Sequence, residues 1–346
     1  MRKNLSEIQE QVLEIERIFN QSGYNTIRYD SEINPSFDLF VFNSGDSILT
    51  KVVKNIDIIQ NTLLVEFFLI SYFLKCIPLM IGQENRHNEL ENDTVYFRLN
   101  NNILAINLYT LKRILMENVL PYKIAKRGDL IVKINGEKLK RVRRELALSK
   151  KDIAHMLGIS IRAVSQYENE NMKIKLYHLD LLERNLKSDL KLPIDIFKIY
   201  KEKRIMIEEL SNYSQNLRRN LNKDNFSKEI YELLENIGLE QLWPNKAPFD
   251  VIIKPDTHQY KIDKIKNEFL PLISTIISNF NQKDMDKIYF ISQLLKMFKV
   301  KATAIVEDEI DAKQCKLAGI PTIEHKELKQ INSTEEFNQL LKKRFN

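Results

Sequence analysis

The chain has 346 residues, of which 43% are hydrophobic and 29% charged, and it carries a net charge of +6. That length exceeds one ordinary core and predicts two or three domains, while the composition excludes a disordered chain. The only two cysteines, Cys76 and Cys315, lie far apart and outside any C-x-x-C pattern; this argues against a disulfide framework or a zinc ribbon and suits a reducing cytoplasm.

Residues 5–20 place Leu5, Ile8, Val12, Ile15, Ile18 and Phe19 at helical spacing, with no signal-peptide core at the N-terminus. After the turn "QSGYN" come three strand-like runs, "NTIRYD", "SFDLFVF" and "SILTKVV", punctuated by Asn, Pro, Ser and Gly. A helix is expected over 57–76, leading through Pro78 to a buried strand at "LMIG". Glu66, Lys75 and Pro78 interrupt this most apolar stretch, so no run reaches the about 18–20 residues that span a bilayer. The polar "QENRHNELEND" reads as a loop, "VYFRLN" and "ILAINL" as strands, and "YTLKRILMEN" as a closing helix. Helix, three strands, helix, strand is the predicted order of an α/β domain over 1–125.

The positive charge is concentrated in the centre. Between Lys123 and Lys175 there are fourteen Lys and Arg against six Asp and Glu, which leaves the rest of the chain at −2. Such a footprint fits a nucleic-acid site, although solvated charge runs are common. Within it, "EKLKRVRREL" reads as a helix with Leu139, Val142 and Leu146 on one side. Ser149 is positioned as an N-cap, with Asp152 three residues on as in a capping box, opening the helix "KKDIAHML". Gly158 follows where a left-handed residue is needed. Ser160 caps "IRAVSQYEN", and "YHLDLLERNL" supplies a further amphipathic helix.

This stretch resembles the helix-turn-helix of the lambda-repressor/Cro-like (XRE) family over about 55 residues. "LKRVRRELALS", then Ala154 and Gly158 at the helix contact, then "AVSQYENEN" carry the resemblance. It implies an all-α DNA-binding domain over 126–192 whose helix 160–169 reads the major groove. Val164 and Tyr167 face the core; Ile161, Arg162, Ser165 and Gln166 face the other way. Arginine suits guanine O6 and N7, glutamine suits adenine N6 and N7, and Ile161 can meet a thymine methyl. Lys150 and Lys173 match phosphate-touching positions of the family, and Ser160 and Asn171 complete the expected DNA-binding set. Arg143 and Glu168 match the family's scaffold ion pair, which gives Glu168 a structural and not a catalytic role. His155 is expected to face solvent.

Residues 193–240 show a broken helical pattern and read as a connector or dimerisation arm. Over 241–346 a second α/β domain is expected. "PFDVII" echoes "SFDLFV", and "GIPTIEHKELKQI" echoes "NILAINLYTLKRI". The echo reads as two related α/β domains flanking the basic centre, with a chance likeness of short β-turn-α phrases as the alternative.

The N-terminal order resembles the core of the PD-(D/E)XK nucleases. Such an enzyme needs an aspartate on one strand and an acid-x-Lys on the next, so that two carboxylates hold Mg²⁺. Asp38 suits the first place, but Leu49 stands two residues before Lys51 and Val52 two before Lys54. In the C-terminal copy, Asp250 precedes "VIIKPDTHQYKIDKIK", which offers no convincing acid-x-Lys. A degenerate nuclease fold is therefore expected, with Asp38 and Asp250 structural and with no catalytic residue, metal or cofactor. The whole arrangement resembles an archaeal family of HTH-type transcriptional regulatory proteins. The resemblance implies transcription control in the cytoplasm and supplies no ligand. The preferred reading is a nucleoid-associated, sequence-specific regulator that binds double-stranded DNA as a homodimer, with its α/β domains setting spacing or meeting an effector or protein partner. The alternative is a structure-specific DNA-processing or nucleoid protein that grips DNA through nuclease-like domains.

Overall fold

The run Leu39–Phe42 is buried at all four positions, the behaviour of a strand covered on both faces. The computed structural model describes residues 2–29, 34–126, 128–202, 224–255, 271–297 and 301–345. The first elements are α1 (Arg2–Gln21), β1 (Asn25–Arg28), β2 (Leu39–Phe42), β3 (Ser47–Asn55), α2 (Asn61–Phe73) and β4 (Ile77–Glu84). Then come β5 (Thr94–Arg98), β6 (Ile103–Ile106), α3 (Leu108–Met116), β7 (Lys123–Lys126) and β8 (Asp129–Val132). The central helices are α4 (Gly136–Glu145), α5 (Lys150–Leu157) and α6 (Ile161–Glu168), followed by β9 (Ile174–Lys175), α7 (Leu176–Leu186) and α8 (Ile196–Glu202). The C-terminal part contains α9 (Asn225–Asn236), β10 (Leu239–Leu242), β11 (Val251–Pro255), β12 (Leu272–Ile277) and α10 (Gln282–Met297). It closes with β13 (Lys301–Val306), α11 (Glu309–Leu317), β14 (Thr322–Glu324), α12 (His325–Leu328) and α13 (Thr334–Phe345). Of the expected connector, residues 203–223 lie outside the described residues, as does the "DTHQYKIDKIK" segment.

The fold is mixed α/β, with the helical centre lying between two α/β regions along the chain. It forms two compact units: Met1–Val52, Ile59–Pro78 and Ile205–Asn346 in one, Val53–Ile58 and Leu79–Arg204 in the other. Helix α2 is shorter than the predicted 57–76. Ile58 is exposed, and Asp57 is engaged by Arg98 and by the backbone of Arg86, which holds the chain out of helix there. Lys75, at φ 56°, ends the helix at the other side.

In the first unit β1, β2 and β3 form an antiparallel ladder, with Phe40 opposite Ile27 and Leu49. A five-stranded sheet runs β10-β11-β12-β13-β14, antiparallel up to β12 and parallel from there on. The order α1-β1-β2-β3-α2-β4 recurs as α9-β10-β11-β12-α10-β13. The likeness reaches single hydrogen bonds. Asp38 donates its backbone N–H to Thr50, and its Oδ2 accepts from the N–H of Val52, 2.6 Å away. Asp250 donates to Ser274, and its Oδ2 accepts from the N–H of Ile276, at 2.9 Å. The echo between the two halves is thus one of fold.

Equivalent residues of the two halves also meet inside this unit. The rings of Phe37 and Phe249 lie 6.4 Å apart, and Phe290 of α10 packs on both. Glu66, buried in an otherwise apolar α2, accepts from the backbone of Asn245 and Lys246 and from the Ser36 hydroxyl. A buried carboxylate is tolerable only when so satisfied.

In the second unit the strand order is β4-β6-β5-β7-β8-β9. Strands β7, β8 and β9 were not expected from the sequence. They form an antiparallel set on the helical domain, and Val132 and Ile174 join its core.

Candidate nucleic-acid interface

Short helices need their ends secured, because each leaves backbone groups unpaired. Asn135 caps α4 by accepting from the N–H of Lys138 at 2.8 Å. Ser149 and Asp152 form the reciprocal capping box of α5. Gly158 ends α5 at φ 64°, ψ 35°, and Ser160 caps α6 through the N–H of Ala163. Beyond α6, Glu170 takes a left-handed conformation at φ 58°. Its N–H returns to Tyr167 O and that of Asn171 to Gln166 O, which is the Schellman pattern. Glu170 Oε1 accepts from the N–H of Gly136, tying the end of α6 to the start of α4.

These helices close around Leu139, Ile153, Ala154, Leu157, Val164, Tyr167 and Ile174, with Val142 partly buried at the edge. Leu146 departs from the expectation: it is half exposed, because α4 stops at Glu145 and Ala147 turns left-handed, so Leu148 packs inward instead. Gly136 is a position the sequence reading did not single out. A Cβ there would stand 2.6 Å from Tyr167 O and closer still to Glu168 O. Only glycine lets α4 approach the end of α6 so closely.

Arg143 and Glu168 form a buried, hydrogen-bonded ion pair, and Arg143 Nη1 also donates to Leu148 O at 2.8 Å. Lys150 belongs to the same network. Its Nζ is 3.4 Å from Glu168 Oε2 and 3.0 Å from Ser165 Oγ. Ser165 in turn donates to Ile161 O. The other expected DNA-facing residues divide by exposure. Ser160, Ile161, Arg162, Asn171 and Lys173 are exposed, and Ser165 and Gln166 are half-buried on α6. His155 is exposed, whereas His178 of α7 is buried, a placement its sequence context did not announce.

The nuclease-like centre is closed rather than open. Lys51 Nζ lies 3.2 Å from Asp38 Oδ1 and both side chains are buried; burial pushes the lysine below its ordinary range despite the carboxylate beside it. Leu49, at the place of the missing acid, is fully buried. In the C-terminal copy Thr275 stands where Lys51 does, and the cation beside Asp250 comes from α10, as Lys287 at 2.8 Å. Both aspartates therefore stitch a loop to the following strand.

Comparison with known proteins agrees with both regions. A PD-(D/E)XK superfamily domain model matches residues 9–121, and a helix-turn-helix model matches residues 139–192. Three relatives share a provisional name, HTH-type transcriptional regulatory protein. One from Methanocorpusculum labreanum is 32% identical over 67% of this chain and 71% of its own. One from Methanobrevibacter smithii is 28% identical over 96% of each chain, and one from Methanocaldococcus jannaschii 27% over 88% of each. No solved structure matches the chain.

Proposed function

Because the chain belongs to the family of HTH-type transcriptional regulatory proteins of these archaea, we propose that it controls transcription by reading a specific duplex sequence with α6. One observation carries the reading: α6 is locked by its inner face and free on its outer one. Val164, Tyr167 and Glu168 are buried, while Ile161 and Arg162 stand in solvent with Gln166 on the same side. A reader needs that division, since a side chain aimed at a base edge must be positioned by a rigid helix.

In this reading Arg162 donates two hydrogen bonds to guanine and Gln166 pairs with adenine, each discriminating by about 1–3 kcal/mol. Ser160, Asn171 and Lys173 bracket α6 and meet phosphates, which set register without reading sequence. Lys150 reaches a phosphate by exchanging Ser165 for a phosphate oxygen. A homodimer would address two half-sites about 34 Å apart. The α/β regions are then frame and effector or partner surface, in a cytoplasmic protein. Among the described residues no helix is long and apolar enough to cross a membrane. Selection of duplexes from a random library by the full-length protein tests the reading. A recurrent motif is expected; equal retention of all sequences would overturn it.

A second reading, structure-specific DNA processing, draws on the PD-(D/E)XK match and the Asp38–Lys51 pair. We favour a non-enzymatic role, because metal-dependent hydrolysis needs a second carboxylate where Leu49 stands buried. Incubation with supercoiled plasmid and Mg²⁺ separates the two, since metal-dependent nicking by the pure protein would favour the second.

A further inference from the structure

We infer that the outer face of the β7-β8-β9 sheet is a second DNA-contacting surface, on which Lys126 and Lys133 join Lys173 to grip the phosphate backbone beside the sequence read by α6. The inference rests on the proposed DNA-reading role and adds a site to it.

The register places these lysines together. β8 pairs with β9 as Ile131 opposite Lys175 and Val132 opposite Ile174. One step further along the same antiparallel alignment, Lys133 faces Lys173. β7 pairs with β8 as Ile124 opposite Ile131 and Lys126 opposite Asp129. Side chains alternate across a sheet, so Val132 and Ile174 point into the helical core. Lys126, Asp129, Ile131, Lys133, Lys173 and Lys175 consequently share the opposite face. All of these except Ile131 are exposed.

The charges on this face do not cancel. Its one carboxylate, Asp129, is held by Lys175 at 3.0 Å. Among the described residues no carboxylate pairs with Lys126, Lys133 or Lys173. Like charges facing each other across strands destabilise a sheet, so the cluster works against folding unless a polyanion neutralises it. Although the residue is exposed, partial desolvation of the Lys173 ammonium, and then the charges of Lys126 and Lys133, hold it below its ordinary range. The position fits a duplex as well. β9 follows the end of α6 after five residues, two of which are Asn171 and Lys173 of the candidate interface. The lysine face therefore begins within a few residues of the end of the reading helix.

Phosphate contacts have a distinctive signature: each one lost lowers the slope of log affinity against log salt by about 0.9 for B-form DNA. The test uses full-length protein and a mixed-sequence duplex of about three helical turns, roughly 30 base pairs. Its arms are Lys126→Gln, Lys133→Gln, the double variant, and Lys313→Gln as a charge-matched control on an exposed position of α11. Each sheet variant should lower the slope by about one and the double variant by about two, with base preference untouched and Lys313→Gln silent. Lys133→Gln should also raise the melting temperature of the DNA-free protein, because it removes a repulsion; a lysine kept for the fold would do the opposite. An unchanged slope in the double variant, or equal losses from Lys313→Gln, would overturn the inference while leaving the α6 reading intact. Failure of the wild-type protein to bind any duplex would instead overturn both.

Discussion

The buried Arg143–Glu168 pair sets the position of α6, and removing one partner should show it. Glu168 is almost wholly buried, so Arg143→Leu leaves a carboxylate inside the helical core with one remaining cation, Lys150, at 3.4 Å. Breaking a buried pair in this way generally costs about 3–5 kcal/mol, because the surviving charge is desolvated without compensation. Lys150 is partly exposed and offsets some of that, so we expect a loss of about 2–4 kcal/mol. Replacing both partners by leucine removes the stranded charge and should bring the loss below that of either single variant. The single tryptophan, Trp243, belongs to the other unit, so its fluorescence does not report directly on the surroundings of α6. Hydrogen exchange of the α6 amides is the suitable assay, with Trp243 fluorescence as an internal control. A coupling between the two sites near zero would refute the reasoning, as would a double variant less stable than both singles.

Gly136→Ala should destabilise the helical domain by about 1–3 kcal/mol, because its Cβ overlaps two backbone carbonyls that can move only by shifting the end of α6. Exchange of α6 amides would register it, and wild-type protection would contradict the close approach. His178 has its pKa lowered by burial and then by Lys175. Its protonation therefore opposes folding: its contribution to stability is whole above the unfolded value of about 6.5 and is lost as pH falls from there toward the folded value. His178→Gln should flatten that part of the pH–stability curve measured by α6 and α7 exchange; an unchanged curve would show the histidine to be uninvolved. Both cysteines are buried, and burial, with Asp311 and Asp284 nearby, pushes the Cys315 thiol up to about 12. Native protein should thus resist a thiol reagent at neutral pH, and denatured protein should take up two equivalents.

Sequence and structure agree best where a local rule has a single outcome. Ser149 with Asp152, and Gly158 after the last apolar residue, leave the backbone little choice, and those helix ends lie where the spacing put them. The order of elements in the N-terminal α/β region was legible for the same reason, since strand and helix periods differ. Other features were hidden by chemistry that acts at a distance. Strands β7, β8 and β9 are only two to four residues long, and their alternation is visible only once Val132 and Ile174 are known to face one core. Gly136 gives no local signal, because its constraint comes from the carbonyls of Tyr167 and Glu168, over thirty residues on. Glu66 looked like a break in an apolar helix, yet its partners, Asn245 and Lys246, are far along the chain. Lys150 was expected at a phosphate and in the DNA-free protein rests on Ser165 and Glu168.

The central claim is that α6 reads bases, and the most direct test is the base preference of Arg162→Ala and Gln166→Ala on duplexes selected by the wild-type protein. Each variant should weaken binding to the preferred sequence by about 1–3 kcal/mol and lose discrimination at one base pair, while its affinity for unrelated duplexes stays near wild type. Equal weakening on every sequence, or no change on any, would contradict the assignment of α6 as the reading helix.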